Sequence, residues 1–308
     1  MPVDSRDNAK TIGLTGALLA YLCWGMMPMY WSLLKGAGSW EVIAHRATWS
    51  PLALILLLLC FGRLGELKRT IVSVATVHRR QGFFLICAAA FAAVNWWINV
   101  LAAQVDRVTE LGLGMFITPL ISVALAVIFF REKLPLAKWL SVAAGLTGLL
   151  LQAIDYGRIP WIAIGVSVTW AIYGAFKKKI PLDPWMSNTI EGLILMPMAL
   201  VYIAHLTSTG ASQFFGDSQV LTFALLGTGI VTTIPMLAFA YAAVNLPLNV
   251  LGFCQYLNPI FTMSVGIFIL GEPFKHSQIV PLLFIAASIV LFLWAEVRGT
   301  RLAHKTDP

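Results

Sequence analysis

Charge is scarce in this sequence. Only 11% of its 308 residues are Asp, Glu, Lys or Arg, against 59% hydrophobic, where soluble domains carry about 25% charged residues. A chain with so little charge cannot clothe a water-soluble globule, so it belongs in lipid. Cysteine is sparse as well. Cys23, Cys60, Cys87 and Cys254 fall in separate apolar runs without a CxxC spacing, which argues against a disulfide framework and a thiolate zinc site. Five histidines are spread over distant segments. With HExxH, GxSxG and GxxxxGKS/T all missing, no metal, cofactor, intramembrane hydrolase or nucleotide-driven pump is expected. Connecting segments are short throughout, so the chain reads as one membrane domain.

What the sequence has in abundance is apolar runs of about 20 residues, the length that crosses a hydrocarbon core of about 30 Å. Ten such windows are present: Ile12 to Leu34, Trp40 to Phe61, Gly82 to Ala103, Val108 to Phe130, Pro135 to Ala153, Ile159 to Phe176, Trp185 to Ala204, Gln219 to Ala243, Leu248 to Leu270 and Ser277 to Trp294. The fold class is therefore an all-α integral membrane protein. The first window follows the polar decapeptide MPVDSRDNAK, exceeds a secretory h-region and lacks a small-residue cleavage site, so it is read as a permanent helix.

The net charge of +7 is explained by topology rather than by nucleic acid. With the N-terminus cytoplasmic, sixteen Lys and Arg residues fall on that side, from Arg6 and Lys10 through Arg79, Arg80 and Lys177 to Lys305. Four fall opposite, Lys35, Arg107, Arg158 and Lys275, and Arg46 stays inside a span. The positive-inside rule then places both termini in the cytoplasm.

The two halves match. LCWGMMP from Leu22 aligns with VTWAIYG from Val168, pairing Trp24 with Trp170, and the same offset of 146 pairs Pro51 with Pro197 and His45 with Glu191. GLGMFITP from Gly112 aligns with GFCQYLNP from Gly252 at an offset of 140, pairing Pro119 with Pro259 and Glu132 with Glu272. A repeat of five helices crosses the membrane an odd number of times, so the second copy is expected upside down relative to the first, the arrangement that supports alternating access. The expected division is a tail over 1–10, repeats over 11–153 and 154–296, and a tail over 297–308. Intramembrane prolines Pro28, Pro51, Pro119, Pro197, Pro235 and Pro259 each free a backbone carbonyl and permit bending.

The segments YLCWGMMPMYWSLL, EVIAHRATWS, NWWINVLA, GIVTTIPMLAFAYAA and LGFCQYLNPIF followed by GEP resemble the RarD family, in the EamA branch of the drug/metabolite transporter superfamily. The resemblance spans Gly13 to Trp294, and the His45-Arg46 pair followed by Trp49-Ser50 is its most specific part. It implies a ten-helix bacterial inner-membrane permease made of two EamA repeats, with efflux of small metabolites or drug-like compounds as the activity. The chain departs from the pattern at Arg131-Glu132, where Gly-Glu is usual, and at Gln104 to Glu110.

Ionisable groups in hydrocarbon cost several kcal/mol unless they meet water, a partner or substrate. His45 and Arg46 lie about 5 Å inside the outer boundary by residue count. Either Arg46 snorkels and His45 pairs with Glu41 at i, i+4, or both face a cavity and bind a carboxylate or phosphate, with His45 able to exchange a proton. Glu191 lies roughly 9 Å inside the opposite boundary, too deep to snorkel, and is the other proton-coupling candidate, or a structural hydrogen bond. These counts put roughly 16 Å between the levels of His45 and Glu191. Asn95 and Asn99 share one helix face, and Gln255, Tyr256 and Asn258 mark the ninth window; such amides line a pathway or clamp helices. Trp24, Tyr30, Trp31, Trp96, Trp97 and Tyr256 can stack on a substrate or sit in interfacial belts. Ser141, Ala144, Gly145 and Gly148 form small-xxx-small pairs that suit a close helix contact, within the chain or in a homodimer. The function expected is alternating-access transport of a small amphipathic substrate across the lipid bilayer, with or without coupled protons. The alternative is a facilitative or channel-like carrier.

Overall fold

The computed structural model describes residues 3–130, 136–177, 179–246, 254–274 and 276–306. Every regular element among them is helical. In chain order these are α1 (Val3–Leu33), α2 (Ser39–Cys60), α3 (Leu64–Thr76), α4 (Arg79–Gln104), α5 (Val108–Phe130), α6 (Leu136–Tyr156), α7 (Trp161–Lys177), α8 (Pro184–Ser208) and α9 (Gln219–Asn245). They are followed by α10 (Leu257–Ser264), which widens into a π-turn over Val265–Ile269, and α11 (Ile279–Thr306). Among the described residues, six helices are long and apolar enough to cross a membrane, and four shorter apolar helices fall in the remaining windows. Glu132, Gly252, Lys275 and the start of the ninth window lie outside the described residues.

Two differences from the sequence reading concern ends. Helix α1 begins at Val3 and α11 runs to Thr306, well beyond Ile12 and Trp294, because hydropathy marks where lipid begins while a helix stops only where the backbone is interrupted. The hydropathy windows also passed over α3, which carries apolar residues on one stripe only: Leu67 and Val74 are buried while Lys68 and Arg69 are exposed. A stripe of this kind suits the membrane interface, not the interior.

The packing reveals how the two halves relate. Pro51 of α2 rests on Gly192 of α8, while Ala44 and Ala47 meet Ala199 further toward the α8 C-terminus, so these repeat mates run antiparallel. On α5 and α10, Gly112 faces Met263 and Thr109 faces Gly266. On α6 and α11, the Ser288 hydroxyl donates to the Ser141 carbonyl at 2.7 Å, and Gly148 faces Ile285. Three pairs of equivalent helices therefore lie against each other head to tail, which is the inverted repeat seen directly. The remaining contacts exchange in the same way. Helix α1 lies against α9 and α10 of the other half, as α7 lies against α4 and α5. Tyr30 donates to the Ala224 carbonyl, and at the equivalent place, offset by 146 and 140, Phe176 meets Phe84 with ring centroids 6.0 Å apart. The small residues of α6 are thus spent on α5 and α11 of the same chain: Gly145 faces Leu120 and Ser288.

Close crossings depend on missing side chains. A methyl on Gly114 would stand 2.5 Å from the Ala163 carbonyl oxygen, at the α5–α7 crossing, whereas Gly174 has nothing within 4 Å. Gly114→Ala is expected to destabilise by about 1–3 kcal/mol through overpacking, and Gly174→Ala to be neutral or stabilising by up to about 1 kcal/mol through helix propensity. Thermal unfolding of the two variants in one detergent ranks them, and the reverse order would contradict the crossing.

Candidate functional site

At the end of the bundle where α1 and α2 join, buried carboxylates hold neighbouring backbones. Glu272, 8% exposed, accepts from the backbone N–H groups of Val108 and, at 2.7 Å, Thr109, so it caps α5 from across the molecule. Glu110, 2% exposed, accepts from the Ile162 N–H of α7 at 3.0 Å and pairs with Arg107, with Arg158 at 3.8 Å. A helix N-terminus presents unpaired N–H groups and a partial positive charge, so a carboxylate there is doubly favourable. Glu41 accepts from Ser212 Oγ at 2.8 Å and from the Gln213 N–H at 2.7 Å. Of the two alternatives for His45, the i, i+4 pairing with Glu41 is not formed: Glu41 is taken by donors of the α8–α9 loop. Lys35 pairs with Asp106 at 2.6 Å, and Gln104 donates to the carbonyls of Leu34 and Ala37. This end is closed by polar ties between loops.

Just beneath lie the two residues the sequence singled out, and they part company. Adjacent positions on a helix point about 100° apart. The His45 ring, fully buried, lies under Phe214 of the α8–α9 loop at a centroid distance of 4.6 Å. Its Nδ1 accepts from the Trp49 indole at 3.0 Å. A neutral imidazole with an accepting Nδ1 carries its proton on Nε2, and that buried Nε2 has no hydrogen-bond partner. Phe215, next along, holds a positive φ of 61°, a strained conformation for a bulky residue. Its N–H is tied to Thr222 Oγ1 at 3.0 Å, which fixes the turn that lays Phe214 on His45.

Arg46 turns the other way, between α1 and α4. Its guanidinium carbon sits 4.2 Å from the Trp96 ring centroid and 5.5 Å from that of Trp31, and the residue is 7% exposed. No carboxylate or carbonyl among the described residues pairs with it, and its buried Nε–H has no acceptor. Cation–π contact with a desolvated ring is worth about 2 kcal/mol, while burying an ion costs several. The aromatic cradle offsets only part of that cost, so this is a cation still short of an anion.

The other predicted residues resolve in different directions. Asn95 donates to the Val166 carbonyl at 3.0 Å and to Thr169 Oγ1 at 2.9 Å, and Asn99 donates to the Asn95 carbonyl at 2.8 Å. Asn95 therefore clamps α4 to α7, although its apolar surroundings gave no hint of which role it would take. Trp97 stacks on Trp40 and bonds Ser39, at the loop end. Trp24 lies against Tyr21 and Phe239, each at 5.5 Å. Near it, Gly25 lets α1 approach Asn258 and Phe261 of α10. Asn258 and Tyr256 are half-buried and Gln255 exposed. From Trp31 to Trp24 is seven residues, about 10 Å along α1, so Arg46, Trp31, Tyr30, Trp24 and Asn258 follow one helix inward from the closed end.

Glu191 is 3% exposed but not alone. Lys177 Nζ reaches its carboxylate at 2.7 Å, Ser187 Oγ donates at 3.0 Å and the Tyr173 hydroxyl at 3.3 Å. Because Gly192 rests on Pro51, Glu191 lies near the level of Pro51, six residues and about 9 Å along α2 from His45. That is closer than counting from span ends suggested, since α8 runs for 25 residues, more than the roughly 20 that the count assumed, yet the two groups share no contact. The sequence reading did not foresee the roles of Glu110, Glu272 and Lys177. Glu110 is an acid in the first turn of α5, a signal that points to the N-terminus of α5 itself; its actual target on α7, like those of Glu272 and Lys177, is set by tertiary contact. The four cysteines are free, and no cluster of three metal-ligating side chains occurs among the described residues.

The model of the EamA-like transporter family matches residues 11–154 and again 158–294. Among curated proteins, the chain is 33% identical to Protein RarD of Streptomyces exfoliatus, over 96% of this chain and 92% of that one. It is 30% identical to Protein RarD of Escherichia coli, over 98% and 100% respectively. An uncharacterized transporter of Vibrio cholerae is 31% identical over 99% of this chain and 97% of its own length. A solved crystal structure, 17% identical in sequence, superposes with a TM-score of 0.56 over 93% of this chain and 97% of that one, which is a likeness of fold.

The Lys177–Glu191 pair makes a direct prediction. Lys177→Met is expected to lower the stability of the detergent-solubilised protein by about 2–3 kcal/mol, because it leaves the Glu191 carboxylate buried without its counterion, and Glu191→Gln by less, because the Lys177 ammonium is partly exposed. The double variant should recover most of that loss. Strictly additive losses in thermal unfolding would show that the pair is not coupled.

Proposed function

The chain belongs to the EamA-like transporter family, and from that premise and the setting of Arg46 we propose that it is an alternating-access secondary transporter for a small amphipathic anion. It works in the bacterial inner membrane with both termini cytoplasmic, and exports its substrate. The observation that carries this reading is the buried guanidinium of Arg46 lying on Trp96 with no anionic partner. A carboxylate or phosphate would fill that deficit with charge-assisted hydrogen bonds, and Trp31 and Trp96 would cover an apolar body. His45 Nε2–H adds a second donor in search of an acceptor, on the neighbouring face of α2.

Two inverted repeats of 11–153 and 154–296 allow two exchanged shapes around a central path. In the shape described here, Glu41, Glu110 and Glu272 tie the end nearest Arg46, so substrate would enter along α1 past Trp24 and Asn258. Opening the far side requires the carboxylates to release the backbone groups they hold. If protons drive transport, His45 is the better carrier of the two candidates, because Glu191 already has Lys177 as its counterion.

Arg46→Met is expected to stabilise the unliganded protein, by removing an unpaired buried charge, and to abolish the thermal stabilisation given by anionic ligands. Arg46→Lys should weaken such ligands about tenfold, since an ammonium loses the planar, bidentate and stacking geometry. A screen of carboxylated and phosphorylated metabolites against their neutral amides, read by thermal shift and then by proteoliposome counterflow with and without a pH gradient, tests the reading. A ligand set that stabilises wild type and Arg46→Met alike would end it.

A further inference from the structure

A second basic site lies at the other end of the bundle, where α3 turns into α4. An open cavity of about 430 Å³ is lined by Val77, His78, Arg79, Arg80, Gln81, Phe84 and Lys179. Three of these are cations at neutral pH and none is acidic. Two acids close to this face are held by Arg63: Glu66 bonds it at 2.8 Å, and Asp183 lies 3.6 Å from the same guanidinium while capping α8. The hydrogen bond from Arg63 holds the Glu66 carboxyl below its ordinary range, so that pair is internally neutral. Neither Arg79 nor Arg80 has a carboxylate partner among the described residues. They are also the first residues of α4, and the helix backbone bonds begin only with the N–H groups of Gln81 and Gly82, both onto the His78 carbonyl. The cavity thus combines two guanidinium groups that have no carboxylate partner among the described residues with the first turn of α4, which has no side-chain cap.

The apolar surroundings say where the missing anion comes from. Val77 is 73% exposed, Phe83 60% and Val72 53%, and Arg80 lies over the Phe84 ring at 5.5 Å. Exposed apolar side chains beside cations, at the end of a 26-residue apolar helix and next to an amphipathic interfacial one, match a lipid: acyl chain along Phe83 and Val72, headgroup against Arg79 and Arg80. We propose that this cavity binds the phosphate headgroup of an anionic phospholipid. The bound lipid would join α3, α4 and, through Lys179, the α7–α8 loop at one membrane surface.

The test uses the full chain purified in a neutral detergent, titrated with phosphatidylglycerol, with phosphatidylcholine of the same acyl chains, and with glycerol 3-phosphate, read by native mass spectrometry and thermal shift. Phosphatidylglycerol should be retained and stabilising and phosphatidylcholine should not. Arg79→Gln with Arg80→Gln should weaken retention about tenfold or more, each basic group near a membrane surface being worth about a factor of five. Lys68→Gln with Arg69→Gln removes two exposed cations of α3 that do not line the cavity, and should leave retention unchanged. Equal losses in the two double variants, equal retention of both lipids, or binding of glycerol 3-phosphate without the lipid would each overturn the proposal.

Discussion

A hydrocarbon core offers polar atoms no partner, and that constraint arranges this molecule. Backbone groups freed at helix ends must be met from within the chain, so Glu272 caps α5, Glu110 caps α7 and Asp183 caps α8. Side-chain amides obey the same rule, with Asn95 spending its donors on α7 and Gln104 on the α1–α2 turn. Each tie costs little because the group it satisfies would otherwise be stranded at several kcal/mol. A structure so thorough about its polar atoms makes its exceptions informative. His45 Nε2 and Arg46 Nε are two of them, one residue apart on α2.

Much of the architecture could be read before any coordinates, because lipid imposes a length on every span and an odd number of spans imposes inversion. The proline and tryptophan pairs at offsets of 140 and 146 located the repeat, and the antiparallel contacts of α2 with α8, α5 with α10 and α6 with α11 are its physical expression. Helix α3 was not legible because a window average erases a one-sided stripe. Which polar residue meets which was not legible either. The Lys177–Glu191 pair joins two helices, and Glu272 reaches a backbone 164 residues away. Periodicity carries the face of a helix but not its neighbour, so Asn95 as clamp and Arg46 as unpaired cation look alike in one dimension.

The α8–α9 loop shows how the closed end is assembled from few contacts. Glu41 grips Ser212 and Gln213, strain at Phe215 turns the chain, and Phe214 is laid across His45. Strain of this kind costs about 1–3 kcal/mol and persists only where neighbours hold it in place. Here the hold is shared by the buried Glu41 carboxylate, by Ser212 Oγ accepting from the Phe214 N–H at 3.1 Å, and by Thr222 Oγ1 accepting from the Phe215 N–H at 3.0 Å. The loop and the imidazole beneath it form one mechanical unit.

Symmetry of form is not matched by symmetry of chemistry, and the mismatch falls at Arg46 and its repeat mate Gly192. At the offset of 146, Trp31 corresponds to Lys177, His45 to Glu191 and Arg46 to Gly192. In the second repeat these positions are self-sufficient: Lys177 neutralises Glu191, and Gly192 leaves room for Pro51. In the first repeat the same positions give an aromatic ring and a cation, with no carboxylate to balance them. Two inverted halves can exchange shapes because their backbones are equivalent. Where the second repeat sets Lys177 against Glu191, the first sets Arg46 against two tryptophan rings, so equivalent backbones carry different electrostatics at the same depth.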